Sequence, residues 1–458
     1  MAVPSVTSTR LSQDPPGERD PQRPLDVRRA LDHVAGSALR AAAPGVVGLE
    51  LESHLVDLAR PAARVGWSRT NDVLRKLTAL PGGSAITLEP GGQVELATPP
   101  AQDVAAAVHA LRCDAVTVRQ ALRSEGLGLA WLGLDPVRPP LRVTPGARYA
   151  AMERHYRATG QASAGAVMMC SSASLQVNLE AGTPAQWSAR VTHAHRLGPV
   201  LVAVSGCSPM LAGRPTGWSS TRHRLWSDLD RARCGPLTNT DDPAHAWSKY
   251  ALQAPVMFVR AGTDRSGADL QPVLVRVPFG DWASGRVRLG GRRPVLADLD
   301  LHLTTLLPPT RLRGFLELRC LDAVPARWWP GLATTVALLM DDPRAVQAAA
   351  AACAPVAGCW DVAACEGLAH PALARAAGSC LEAAVAASPA SLRPDVEALA
   401  DLVLSGRSPG DLVAARAQQI GPLALLAESA RVEHDYWTQE AVSAEPSVGH
   451  RPSGWSRR

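Results

Sequence analysis

Gly48-Leu49-Glu50-Leu51-Glu52-Ser53-His54 alternates apolar with polar residues. Successive side chains of a β-strand point to opposite faces, so one face of this segment is greasy and the other carries two carboxylates. Three further stretches repeat the pattern: Thr87-Leu88-Glu89-Pro90-Gly91-Gly92-Gln93-Val94-Glu95-Leu96, Ser174-Leu175-Gln176-Val177-Asn178-Leu179-Glu180 and Phe315-Leu316-Glu317-Leu318-Arg319. If the four share one sheet, their polar faces add up to a floor of carboxylates, amides and an arginine. Carboxylate clusters without matching lysines suit hard cations such as magnesium. The expected chemistry is magnesium-dependent work on phosphate.

The hairpin register follows from the same alternation. A two-residue Gly91-Gly92 loop would pair Leu88 with Glu95 and mix the faces. A three-residue Pro90-Gly91-Gly92 loop pairs Glu89 with Gln93, Leu88 with Val94 and Thr87 with Glu95, which separates them. The second register is expected.

The chain has 458 residues, 46% of them hydrophobic and 19% charged, which reads as globular. The formal net charge is +5, and Lys76 and Lys249 are the only lysines. Phosphate must therefore be held by arginine, backbone N–H groups and metal rather than by a P-loop lysine. No basic stripe with interleaved aromatics occurs, so a nucleic-acid partner is not expected. Nine cysteines without a CxxC pair do not read as a disulfide scaffold. Cys353, Cys359, Cys365 and Cys380 fall among alanines, as core cysteines do. No signal-peptide core or apolar run of spanning length is present, so a membrane partner is not expected and the cytoplasm is the expected compartment.

Residues 1–24 are rich in Pro, Ser, Arg and Asp and read as a disordered tail, as do residues 441–458. Helical spacing covers 25–43, 69–80, 102–125, 149–158, 184–205 and 297–305. Strands are expected over 46–55, 126–134, 168–180, 255–260, 272–278 and 315–321. Residues 208–242 are polar and Trp-containing with little periodicity, and read as a long functional loop. After Pro325 the chain is Ala- and Leu-rich helix to about residue 438. The fold class is α+β, with a catalytic body over 25–325 and a mostly helical part over 326–440 packing on the same core.

Each candidate has a plain alternative. Glu50 and Glu52 on one strand face raise each other's pKa unless a cation lies between them, but a solvated edge strand would look the same. Glu89 and Glu95 share the polar face of the hairpin, and paired metal sites can clamp transferring and leaving oxygens. Gln176 and Asn178 add uncharged donors and acceptors. Glu317 and Arg319 form either a phosphoryl-binding pair or a local ion pair. Arg214, Arg222, Arg224, Arg231 and Arg233 in the 208–242 segment either clamp an anion from above or are solvated. GxxxxGK[ST], GxGxxG and GxSxG are all missing, which argues against P-loop, dinucleotide-fold and serine-hydrolase readings. His193 and His195 diverge on a predicted helix and are not read as ligands.

The motifs taken together resemble glutamate–cysteine ligases of the plant/proteobacterial group. They are Gly48-Leu49-Glu50-Leu51-Glu52, the 87–96 hairpin, Met168-Met169-Cys170-Ser171-Ser172-Ala173-Ser174-Leu175-Gln176-Val177-Asn178-Leu179-Glu180, Arg224-Leu225-Trp226-Ser227-Asp228-Leu229-Asp230 and Arg313-Gly314-Phe315-Leu316-Glu317-Leu318-Arg319-Cys320-Leu321-Asp322. The resemblance runs from about residue 26 to 440 and is nearer to the actinobacterial branch of ergothioneine biosynthesis. It implies a curved antiparallel sheet of the glutamine synthetase and guanido kinase type, flanked by helices, with magnesium and ATP on its concave face. It implies ATP-dependent joining of the glutamate γ-carboxylate to the cysteine amine through γ-glutamyl phosphate. Glu50, Glu52, Glu95 and Glu317 would hold two or three magnesium ions, with Glu89 a fifth carboxylate or a substrate contact. Gln176, where other branches carry histidine, and Asn178 would face the substrates. Arg319, with Arg222 or Arg224, would neutralise the transferred phosphate. The alternative on the same scaffold is a ligase or guanido-kinase-like phosphotransferase with another amine acceptor.

Overall fold

In a computed structural model of the chain, residues 23–77, 79–260 and 270–431 are described. The tails expected at the two ends fall outside them except for residues 23–24, as does the last part of the helical run beyond 431. The first half runs α1 (Val27–Ala38), β1 (Val47–Asp57), α2 (Trp67–Leu74), β2 (Ala85–Leu88), β3 (Val94–Ala97), α3 (Val104–Arg123), β4 (Leu127–Ala130), α4 (Ala147–Ala158), α5 (Ala162–Ser171), β5 (Ser174–Leu179) and α6 (Trp187–Ser205). Then follow β6 (Met210–Leu211), β7 (Arg214–Pro215), α7 (Thr221–Leu229), α8 (Arg231–Cys234), α9 (Pro243–Gln253), β8 (Phe258–Arg260), β9 (Leu270–Pro272), α10 (Phe279–Ser284), α11 (Leu296–Leu303), β10 (Thr310–Leu312) and β11 (Leu316–Asp322). The C-terminal helices are α12 (Trp329–Asp341), α13 (Pro343–Cys353), α14 (Trp360–Glu366), α15 (Pro371–Ala387), α16 (Arg393–Leu404) and α17 (Pro409–Ile420), and residues 422–431 are helical.

All four amphipathic stretches enter one antiparallel sheet, ordered β10-β11-β5-β1-β3-β2, with β4 also on β1. Leu49, Leu51, Val94, Leu96, Leu175, Val177, Leu316 and Leu318 are each at most 2% exposed. Their face is covered by α3, α6 and α12, and each buried leucine contributes about 2 kcal/mol. α13, α15 and α16 pack outside that layer, so one apolar cluster runs from the sheet into the C-terminal helices. The hairpin takes the expected register: Thr87 faces Glu95, Leu88 faces Val94, and Glu89 N–H donates to the Gln93 carbonyl at 2.9 Å. Gly92 supplies the left-handed turn residue at φ +82°.

Three expectations need correction. The strand expected over 272–278 lies earlier and is shorter: β9 ends at Pro272, and residues 273–277 are not in a strand. Residues 168–171 end α5 instead of starting a strand. An apolar run without alternation does not separate helix from strand, and here the Ser172 hydroxyl donates to the Met168 carbonyl at 2.5 Å, closing the last turn. The 208–242 segment is not structureless, since it holds β6, β7, α7 and α8. Ser220 caps α7 by accepting from His223 N–H, and Asp230 caps α8 by accepting from Ala232 N–H. These caps were in the sequence, but short helices leave little periodicity to read. Among the described residues no single helix is long and apolar enough to cross a membrane; 343–356 and 360–369 meet that test only jointly, bent 89° to one another.

Candidate active site

The polar face of the sheet is a checkerboard set by register. Glu52 lies opposite Glu95, and Thr87 lies opposite Glu95 on the other side. Glu50 lies opposite Gln176, Asn178 opposite Glu317, and Glu317 opposite Arg311. Cross-strand partners share a face, so the four motifs put their polar residues on one face of one sheet. α4, α5, α7 and residues 304–307 close over this face and leave a cavity of about 290 Å³.

One end of the cavity is acidic, with Glu50, Glu52, Glu89 and Glu95. Glu52 is held by Ser174 N–H at 2.8 Å and by the Gln176 amide at 3.1 Å. Asn178 donates to Glu50 at 2.9 Å, and the Thr87 hydroxyl donates to Glu95 at 2.9 Å. No side-chain donor among the described residues reaches Glu89. Burial, followed by repulsion from Glu52, pushes the Glu89 carboxyl up to about 7. Burial, with Glu89 and Glu52 behind it, holds Glu95 well above the ordinary range. Burial also raises Glu50, and Glu317 adds to the shift.

The other end is basic, with Arg311 on β10, Arg313 in the turn after it, Arg319 on β11 and Arg222 from α7; Arg148 from α4 also lines the cavity and interacts with Glu89. Glu317 is fully buried among three of them: Arg311 donates through Nε and through Nη2 at 2.8 Å, Arg313 donates at 3.0 Å, and Arg319 lies at 3.2 Å. Burial alone would raise the Glu317 carboxyl, but Arg311, Arg319 and Arg313 outweigh it and hold the group far below the usual range. Arg319 also donates to the Gln176 carbonyl oxygen, so the amide joins the two ends. Arg222 and Arg319 stand between this cavity and a smaller one of about 90 Å³ under α7 and α14.

The sequence-predicted residues thus divide. Glu50, Glu52, Glu89, Glu95, Gln176, Arg222 and Arg319 line the cavity. Glu317 and Asn178 lie on the same face just behind the lining, Glu317 saturated by arginines. Arg224 is not at the site. It pairs with Asp228 at 2.6 Å and stacks on Trp218, because it lies two residues beyond Arg222 on a helix and so points elsewhere. Arg233 is buried against the Thr305 and Pro255 carbonyls, and Arg214 is exposed on β7. His193 and His195 bond to backbone carbonyls of Leu339 and Val191 in the apolar layer. Arg148, Tyr149, Trp226, Arg311 and Arg313 were missed. Thr310-Arg311-Leu312-Arg313 carries the same alternation as the four motifs and was a readable signal; Arg148 and Tyr149 had none.

The acidic end suits hard cations in charge and donor type. The glutamates cannot all ionise together without a counter-charge, and the Gln93 and Asn178 carbonyl oxygens have no donor. As the side chains stand, no group of three ligands among the described residues converges on one point, so metal binding would require them to turn inward.

Residues 46–429 match the family model for glutamate–cysteine ligase family 2 (GCS2). The chain belongs to this family. Within the sequence relatives of this glutamate–cysteine ligase family member, the glutamate–cysteine ligase EgtA of Mycolicibacterium smegmatis is 47% identical over 407 residues, 88% of this chain and 95% of that one. EgtA of Mycobacterium tuberculosis H37Rv is 47% identical over 388 residues, 84% and 89% of the two chains. The chloroplastic glutamate–cysteine ligase of Medicago truncatula is 29% identical over 275 residues, 58% and 52% of the two. The glutamate–cysteine ligase of Francisella tularensis, solved in complex with AMP, shares the fold at TM-score 0.54 and 16% identity, over 87% of this chain and 90% of that one.

Proposed function

We propose that this chain joins the γ-carboxylate of L-glutamate to the amino group of L-cysteine, using ATP and magnesium. The observation that carries the reading is one cavity with four glutamates at one end and arginines at the other. Phosphoryl transfer needs both: anions to hold cations around a polyphosphate, and fixed positive charge where the transferred group lands. Glu50, Glu52 and Glu95 are the residues that would hold two or three magnesium ions, which when bound would neutralise phosphate charge and let the glutamates ionise together.

The chain's own residues account for the rest. A γ-carboxylate oxygen of glutamate attacks the γ-phosphorus of ATP, and the bond to the β-phosphate oxygen breaks, releasing ADP. Arg319 and Arg222 hold the charge of the new acyl phosphate. The acceptor nitrogen then attacks the acyl carbon, the bond to phosphate oxygen breaks, and inorganic phosphate leaves. Glu89, with no donor against it, is placed to meet the acceptor's ammonium group as it loses its proton. Gln176 ties Glu52 to Arg319 and so keeps both ends in one geometry. Glu317 serves by fixing Arg311, Arg313 and Arg319, in place of the metal-ligand role that the family resemblance implied for it. The product, γ-glutamylcysteine, would enter ergothioneine biosynthesis. All nine cysteines are free thiols, in keeping with a reducing cytoplasm.

A coupled ADP-release assay with glutamate, magnesium and a panel of amines tests the reading. ADP release should require glutamate, be stimulated by cysteine and stop when magnesium is removed. Glu50→Gln should lower the rate by at least about 100-fold, the scale of losing one pre-organised charge contact. Turnover without glutamate, or stimulation by a different amine or a guanidine but not by cysteine, would replace this reading with a related phosphotransferase or ligase.

A further inference from the structure

Asp322 closes β11, three residues beyond Arg319, and is 1% exposed. Its Oδ2 accepts Cys207 N–H at 2.9 Å and the Ser208 hydroxyl at 2.7 Å. Its Oδ1 accepts the Ser220 hydroxyl at 3.0 Å and lies 3.6 Å from Nη1 of Arg222. Each serine is used twice. Ser208 Oγ accepts Arg222 N–H at 3.0 Å, and Ser220 Oγ accepts His223 N–H at 3.1 Å. The hydroxyl hydrogens therefore go to the carboxylate and the lone pairs to the first turn of α7. Gly133 lies against the carboxylate, where a Cβ would come within 2.6 Å, so Asp322 has no room to turn.

Arg222 reaches the cavity from that first turn. Its Nη2 donates to the Arg319 carbonyl at 3.2 Å and its guanidinium lies 5.3 Å from the Trp226 ring centre. A free arginine side chain carries about 2 kcal/mol of rotamer entropy, so a single productive position needs restraint at both ends of the side chain. The carboxylate restrains the guanidinium directly and the backbone through two hydroxyls.

We propose that Asp322 is a positioning residue for the reaction. Through Ser208 and Ser220 it fixes the start of α7 to the end of β11, and through its own charge it holds Arg222 at the basic end of the cavity beside Arg319. This rests on the reading of the cavity given above.

The test is a double-mutant cycle on the full chain with Arg222→Ala, Asp322→Asn and both together. It is followed in the ligation rate and, by calorimetry, in the Kd for magnesium-ATP. Asp322→Asn should lower kcat by about tenfold to 100-fold, the cost of misplacing a catalytic group by about 1 Å, with an unchanged circular dichroism spectrum. In the Arg222→Ala background the same change should cost less than about twofold, because the effect passes through Arg222. A merely structural role predicts losses that multiply. Multiplying losses, or wild-type kcat and Kd in Asp322→Asn, overturn the proposal. If Asp322→Asn does not fold, the paired Ser208→Ala and Ser220→Ala variant replaces it, with the same non-additivity expected and the same outcomes overturning. A wild-type chain that makes no γ-glutamylcysteine overturns the reaction above, and the cycle in Kd then decides the role of Asp322 alone.

Discussion

Glu317 shows how much one side chain can carry without touching a ligand. It is hidden from water, which favours the uncharged acid, yet three guanidiniums hold it ionised. Replacing it with glutamine would leave the buried Arg311 and Arg319 without their close ion-pair partner, with only the more distant Glu50 and Glu52 as acidic neighbours. The expected cost is about 3 kcal/mol of unfolding free energy in urea, the lower end of what breaking a buried pair costs, with a fall in kcat as Arg319 loses its seat. A stability loss below about 1 kcal/mol would show that the arginines find other partners. The alternation on β11 was enough to pair Glu317 with Arg319 on one face. Its saturation was not readable, because Arg311 arrives from the neighbouring β10 and Arg313 from the turn that joins it to β11.

At the scale of elements, the 87–96 hairpin decides where Glu89 stands. Its tip is wedged between the end of α5 and residues 143–144. Val143 and Thr144 N–H groups donate to the Pro90 carbonyl at 2.9 and 3.0 Å, and the Thr144 hydroxyl donates to the Glu89 carbonyl at 2.6 Å. Arg64, paired with buried Asp135 at 3.3 Å, approaches the Gly91 carbonyl at 3.5 Å. A Cβ on Gly91 would come within 2.1 Å of the Cys170 carbonyl oxygen, so glycine is needed for close approach and not for its φ. Gly91→Ala should push the tip off α5, at about 1–3 kcal/mol for an overpacked site. With it should come a loss of roughly tenfold or more in kcat as Glu89 shifts. Unchanged kinetics would separate the tip from the site. The register of this hairpin was legible because only one loop length separates its faces. Its docking was not, since α5 occupies residues whose apolar run carries no period.

At the scale of the molecule, the cavity stores mutual repulsion. The raised Glu89, Glu95 and Glu50 carboxyls hold protons more readily folded than unfolded, where the ordinary value is about 4.3. Their contribution to stability is therefore full below that range and is lost as pH rises through the raised values, about 7 for Glu89. Glu317 acts in the opposite sense, but its loss lies at far lower pH. A divalent cation removes the repulsion, so magnesium should raise Tm more at pH 8 than at pH 6 by scanning calorimetry. Equal shifts would mean that the cation binds elsewhere. Strand alternation, hairpin register, lysine scarcity and the order of the motifs follow from the sequence alone, because strand periodicity is local and a missing residue type is missing everywhere. Which arginines reach the cavity was decided only by the tertiary structure. Arg222 faces in and Arg224 faces out because α7 winds there, and Arg148 arrives from a helix whose own sequence has no polar stripe. Helix phase and the approach of distant elements depend on packing, which no short window of residues records.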